Sequence, residues 1–127
     1  MKEFSLDIDI NSEDIDELGH VNNIVYLKWV QETARAHWEN VAPSEMQDQN
    51  IWVVLRHEID YKKEILINDN IQTKTKVLNM KGPLSKRQVE IYSNNILAAK
   101  AVTTWCLLNK DTRKPRNISK EYEMLFL

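Results

Sequence analysis

Asp16-Glu17-Leu18-Gly19-His20-Val21-Asn22-Asn23-Ile24-Val25-Tyr26-Leu27-Lys28-Trp29-Val30 is the stretch that decides the fold. Its second half opens a helical pattern running from Asn22 to about Glu39. On a helical projection Lys28, Gln31, Glu32, Arg35 and Glu39 gather on one narrow arc, with Ile24 intruding, while Val25, Tyr26, Leu27, Trp29, Val30, Ala34, Ala36 and Trp38 spread around the rest. A surface helix ordinarily carries a narrower apolar stripe, so this one is expected to be enveloped by something broad, such as a curved sheet. The first half of the stretch places one of the chain's two glycines between a carboxylate and the helix start. A glycine there lets backbone approach a ligand closely, and free N–H groups at a helix N-terminus favour developing negative charge. The pattern is suited to polarising a carbonyl.

Outward from this helix the chain reads as strands. Phe4, Leu6, Ile8 and Ile10 alternate with polar residues, the period of a strand with one buried face. After Pro43 and a polar segment to Asn50 come long runs at Ile51 to Ile67, Ile71 to Val77, Ser85 to Tyr92 and Ile96 to Leu108. Turn residues at Asn68-Asp69-Asn70, Lys81-Gly82-Pro83 and Ser93-Asn94-Asn95 separate them. The apolar density of Leu97 to Leu108 predicts a central strand covered on both faces. A charged loop from Asn109 to Asn117 precedes a short tail with Tyr122, Leu125 and Phe126. One strand, one long helix and a meander of strands predict a single α+β domain over residues 1–127, its antiparallel sheet wrapped on the helix.

Composition narrows the function. With 127 residues, 43% of them hydrophobic and 28% charged, the chain can fill one core and cover it. A net charge of −2 without a long basic run argues against nucleic acid or an anionic membrane as partner. Cys106 is the single cysteine, so an intrachain disulfide and a Cys-rich metal site are excluded. The beginning of the chain lacks the apolar core of a secretory signal, and no run reaches transmembrane length, so a cytoplasmic protein is expected. His20, His37 and His57 lack metal-ligand spacing, Gly19 and Gly82 are too isolated for a phosphate loop, and Ser85 has no Gly-x-Ser-x-Gly setting. No metal and no cofactor are expected.

The run from Asp16 through Glu32, with Gly19-His20-Val21-Asn22-Asn23, Tyr26 and Trp29, resembles the hotdog-fold thioesterases of the 4-hydroxybenzoyl-CoA thioesterase type. His20-Val21-Asn22-Asn23 is also similar to the corresponding segment of plant and bacterial acyl-ACP thioesterases. The likeness continues in Arg56-His57-Glu58-Ile59-Asp60-Tyr61, Asp69, Thr104-Trp105 and Lys114-Pro115-Arg116, in the family's order. Leu18 stands where the plant enzymes carry an amide, Asn23 where some bacterial ones carry a histidine, and Glu64 and Asn68 where a proline and a turn glycine are common. The resemblance implies a hotdog fold, a homodimer or a dimer of dimers, an active site at the dimer interface, and acyl-CoA or acyl-ACP as substrate.

Thioester hydrolysis needs a group that activates water or attacks the acyl carbon, and fixed donors for the oxygen that gains charge. By resemblance Asp16 is the catalytic carboxylate; by spacing alone it is an acidic residue preceding a helix. His20 either orients the carbonyl or Asp16, or is hydrogen-bonded into its own loop. Gly19 permits close approach or serves only a turn. The backbone N–H groups near Asn22 and Asn23 are the expected oxyanion donors, their side chains the alternative helix-start hydrogen-bond formers. Tyr26 and His57 are substrate-contact candidates whose other role is packing. Arg87, Arg113, Lys114 and Arg116, together with Lys86, are candidates for holding coenzyme A phosphates at the surface. A non-catalytic acyl-binding hotdog protein is the competing class, but a binder needs no carboxylate beside the thioester.

Overall fold

The computed structural model describes residues 2–127. Strand β1 (Glu3–Ile8) leads through a 3-10 turn at Ser12–Asp14 and the Asp16 loop into helix α1 (Asn23–Val41). A short helix α2 (Ser44–Gln49) follows, then strands β2 (Asn50–Tyr61), β3 (Ile71–Lys81), β4 (Leu84–Ser93) and β5 (Ile96–Asn109), and a terminal helix α3 (Lys120–Phe126). All five strands join one antiparallel sheet in the order β1-β3-β4-β5-β2. This is the α+β hotdog arrangement, a long helix held in a curved sheet. Among the described residues no helix is long and apolar enough to cross a membrane.

Local chemistry explains the curvature. The ladders slip by one residue at Leu55 in β2 and at Leu78 in β3, and such bulges bend and twist a strand. Hairpin β4–β5 closes through Asn94 and Asn95, both at positive φ, the two-residue turn whose twist matches its strands. Gly82 takes φ +59° between β3 and β4. Helix α1 lies mainly against β1, β3 and β4, and reaches β2 through side chains, Tyr26 on Tyr61 at one end and Trp38 on Trp52 at the other.

Two expectations change. Helix α1 is buried along one stripe, Tyr26, Trp29, Val30, Thr33, Ala34 and His37, instead of nearly all round, because the sheet curves over one side of it only. Leu27 and Trp38 are half-buried and Ile24 is exposed. Strand β2 stops at Tyr61 instead of continuing to Ile67. The Lys62 and Lys63 N–H groups both turn onto the Ala98 carbonyl, and Ile65 folds under the helix start as a fully buried plug whose carbonyl accepts from Val21 N–H. The two short helices lie in segments too brief for an apolar period to announce them. Strand β5 is interior, though β4 is the middle strand, and β5 is not covered on both faces in the chain: Lys100 is exposed and Val102 and Thr104 are half-buried on its outer side.

Buried contacts split into two clusters. One, around Val21, Tyr26, Trp29, Ile65, Val89 and Ile91, anchors the head of α1. The other joins Met46, Val77, Leu107, Tyr122 and Phe126, with Trp38 and Trp52 packed against it, at the opposite end of the helix. Between them Thr33 Oγ1 meets Thr73 Oγ1 at 2.7 Å, so a buried hydrogen bond ties helix to sheet.

Candidate active site

The loop from Asp16 to Asn22 is built by its own hydrogen bonds. Asp16 N–H donates to the His20 carbonyl and Gly19 N–H to the Asp16 carbonyl, closing a tight turn that Gly19 completes at φ +81°. The Asp16 carboxylate accepts Leu18 N–H at 2.9 Å and His20 N–H at 3.3 Å, both on Oδ1. Its second oxygen, Oδ2, has no hydrogen-bond partner among the described residues. One oxygen therefore fixes the carboxylate and the other carries no protein hydrogen bond. Asn22 caps α1, its Oδ1 accepting Ile24 N–H at 3.0 Å.

These residues open on a cleft of about 470 Å³ lined by Asp16, Leu18, His20, Asn22 and Asn23 on one side and Tyr61 to Glu64 on the other. Tyr26 forms its floor; burial pushes the phenol up to about 12, and its hydroxyl donates to the Lys63 carbonyl. Tyr61 donates to the Asn23 carbonyl at 3.1 Å, joining the end of β2 to the helix start. His20 Nε2 stands 2.9 Å from Glu64 Oε2. Glu64, with Lys62 and Lys63, escapes sequence reading because the run Tyr61 to Ile67 passes for strand. The signal available is the break in alternation at Lys62-Lys63-Glu64, three charges in a row that no half-buried strand would carry.

The geometry sorts the expected oxyanion donors. Asn22 N–H is spent on the Asp14 carbonyl at 2.9 Å, so it cannot serve. Val21, Ile24 and Val25 N–H are likewise occupied, by Ile65 O, Asn22 Oδ1 and Asn22 O. Asn23 N–H, at the first position of α1, has no partner among the described residues, and the helix dipole adds to it.

Other candidates lie elsewhere. Gly19 does not line the cleft: a Cβ there would meet nothing within 4 Å, and its positive φ is what requires glycine. His57 faces the inner side of the sheet, its Nδ1 2.8 Å from Thr103 Oγ1, in a separate cavity of about 720 Å³ between α1 and β2; burial lowers its pKa. Arg87 is not a surface cation. It is 7% exposed, lines that same cavity, and its Nη1 donates to His37 Nδ1 at 2.7 Å and Thr75 Oγ1 at 3.2 Å, because the strand register turns it toward the helix. Arg113 and Lys114 are exposed on the loop after β5, and Arg116 donates to Asn50 Oδ1 at 2.8 Å.

That loop adjoins the Asn50 end of β2, whereas the Asp16 cleft adjoins the Tyr61 end. At about 3.3 Å per residue, the 12 residues of β2 separate them by roughly 35 Å. One chain does not bring the carboxylate and the cationic loop together. Among the described residues no group of three or more His, Cys, Asp or Glu could hold a metal ion.

The Asp16 carboxylate and the unpartnered Asn23 N–H thus belong to residues lining one cleft. A family model described as acyl-ACP thioesterase N-terminal domain matches residues 1–126. The chain belongs to that family. It is a thioester hydrolase. Among curated proteins no sequence match is found. Among solved structures, a thioesterase complexed with coenzyme A and Zn from Thermus thermophilus superposes with a TM-score of 0.85 at 22% identity, over 96% of this chain and 90% of that one. A DHNA-CoA thioesterase from Staphylococcus aureus gives 0.85 at 20%, covering 98% and 86%. A 1,4-dihydroxy-2-naphthoyl-CoA thioesterase from Synechocystis gives 0.81 at 14%, covering 98% and 95%. At these identities the likeness is one of fold.

Proposed function

We propose that this thioester hydrolase cleaves acyl-CoA, or the equivalent acyl carrier protein thioester, at a site that two copies of the chain complete. The observation that carries the reading is the Asp16 carboxylate, locked through Oδ1 and free at Oδ2, at the mouth of the same cleft as Asn23 N–H. Oδ2 takes a proton from the attacking water, or attacks the acyl carbon itself, while Asn23 N–H and the helix dipole stabilise the oxygen that gains charge. His20, steered by Glu64, sits where it can orient the thioester. The thiolate leaves and takes up the proton that water has given; where Oδ2 itself attacks, water hydrolyses the resulting acyl-aspartyl anhydride, which restores the carboxylate and supplies that proton. Solved structures of the same fold with coenzyme A bound support the carrier.

The second copy is argued from β2. It is the long edge strand of the sheet, with Leu55 and Tyr61 exposed along it, and an unpaired edge is a template for another strand. Two copies joined antiparallel across a two-fold axis set the Asn50 end of one β2 beside the Tyr61 end of the other. The partner's cationic loop then approaches the Asp16 cleft, and Arg113 and Lys114 reach phosphates of the carrier. The test is thiol release from a panel of acyl-CoA substrates by the parent and by Asp16→Asn. Rapid release by the parent and near-complete loss in the variant support the reading; equal rates sink it.

A further inference from the structure

The larger cavity contains a buried cation without an ion-pair partner, although the Glu39 carboxylate also lines the cavity. Arg87 is buried, yet no carboxylate among the described residues lies within ion-pair distance of it. Its two recorded hydrogen-bond partners are neutral, the His37 imidazole and the Thr75 hydroxyl. The ring of Phe126, 6.0 Å from Cζ, offers a cation–π contact that offsets only part of the desolvation of a guanidinium. A cation left in this condition is costly unless something negative arrives.

A second, independent donor points the same way. Trp105 Nε1–H is buried without an acceptor, the one such side-chain atom among the described residues. Trp105 lines the same cavity as Arg87, on the neighbouring strand. In the register Ser85 stands opposite Trp105, and Arg87 opposite Thr103, which in turn stands opposite His57. On this part of the inner sheet face, polar side chains of β4, β5 and β2 gather in one patch. Around it Trp38, Trp52, Met80 and Phe126 form apolar walls. A buried guanidinium without a counter-ion and an indole N–H without an acceptor, behind hydrocarbon walls, describe a ligand with an apolar body and an anionic oxygen at its end.

We propose that this cavity receives the far end of the acyl group and that Arg87 and Trp105 select acyl chains ending in a carboxylate. The proposal rests on the thioesterase reading, and on the β2 pairing that sets the Asn50 end of one chain, which lines this cavity, beside the partner's Asp16 cleft. It deepens that reading by naming a substrate class: half-thioesters of dicarboxylic acids. The carboxylate neutralises the guanidinium and accepts the indole N–H; a neutral chain of the same length leaves both unanswered, and a site built to hydrogen-bond a group discriminates strongly against analogues lacking it.

The experiment compares kcat/KM, by thiol release, for succinyl-, glutaryl-, adipyl- and pimelyl-CoA with that for butyryl-, valeryl-, hexanoyl- and heptanoyl-CoA. The parent is expected to favour at least one carboxylated chain by about tenfold or more over its neutral match. Arg87→Met should abolish that preference while retaining neutral-chain hydrolysis, and Trp105→Phe should reduce it several-fold. If Arg87→Met does not fold, Arg87→Lys and Trp105→Phe carry the comparison. A parent that prefers neutral chains throughout, or a preference that these variants leave intact, overturns the proposal. If no thioester is cut, the hydrolytic reading has failed separately, and calorimetric titration with disodium adipate and disodium pimelate decides the cavity: binding lost in the Arg87 variant upholds the anion site, and no binding to the parent overturns it.

Discussion

His20 Nε2 lies 2.9 Å from Glu64 Oε2, so a histidine of the loop before α1 is held by a carboxylate from the opposite wall of the cleft. Both groups are partly exposed, and such pairs contribute little to stability. In the proposed mechanism their value is orientation. Glu64→Gln is expected to lower kcat about tenfold, equivalent to roughly 1.4 kcal/mol of transition-state stabilisation, with Tm almost unmoved. Thiol release and thermal melts on the same preparations check it; an unchanged kcat would assign the pair to loop structure alone.

In the proposed mechanism Asp16 has two jobs on two oxygens, and two substitutions separate them. Asn keeps an acceptor for the Leu18 and His20 N–H groups, so Asp16→Asn should fold like the parent while kcat falls by about two to four orders of magnitude. Asp16→Ala removes the acceptor as well. It should be as inactive as Asn and also melt lower, by an amount corresponding to about 1–3 kcal/mol for N–H groups left unpaired.

Burial, and then the Arg87 guanidinium beside it, push His37 down to about 4. Unfolded, an imidazole titrates near 6.5. Between those values the unfolded chain binds a proton that the folded one refuses, so stability falls as pH drops from about 6.5 to about 4, by on the order of 3 kcal/mol in all. Below that range the contribution stays constant. Urea midpoints measured across this window should decline for the parent and decline less for His37→Gln, which removes the titrating group.

If sites are shared between chains, defects on opposite halves should complement. Arg113→Ala with Lys114→Ala is expected to raise KM for acyl-CoA with kcat nearly unchanged, since those contacts are remote from the reacting carbon. Arg116 is left out of this variant because it supports Asn50. Mixing that double variant with inactive Asp16→Asn chains under exchange conditions should regenerate sites of parental KM. The mixture showing only the double variant's KM would place each site within one chain.

Much of the architecture was legible because its signals are local. Alternation set β1 and β3, turn residues at Gly82 and Asn94-Asn95 set the hairpins, and the run from Asp16 to Tyr26 gave both the helix start and the family. The misreadings share a cause. Ile65 looks like strand in sequence and is a plug in space; Arg87 looks like a surface cation and faces a helix 50 positions away; Glu64 finds His20 only across a cleft. Each depends on a pairing between distant segments, which spacing along the chain does not encode. The fate of individual N–H groups belongs with them: Asn22 and Asn23 are alike in type, and only the position of the Asp14 carbonyl tells them apart.

The bare edge of β2 has a consequence for how such a protein is handled. With the carboxylate at one end of that strand and the cationic loop at the other, the proposed pairing makes each chain on its own the holder of two half-sites. Under that pairing dilution is expected to act as an inhibitor: specific activity drops as copies part, before any helix or strand is lost, and returns on concentration. The same edge, left open in a crowded preparation, is the surface along which chains would join in the wrong register, so the strand that makes assembly productive is also the one that sets how much unpaired chain a solution can tolerate.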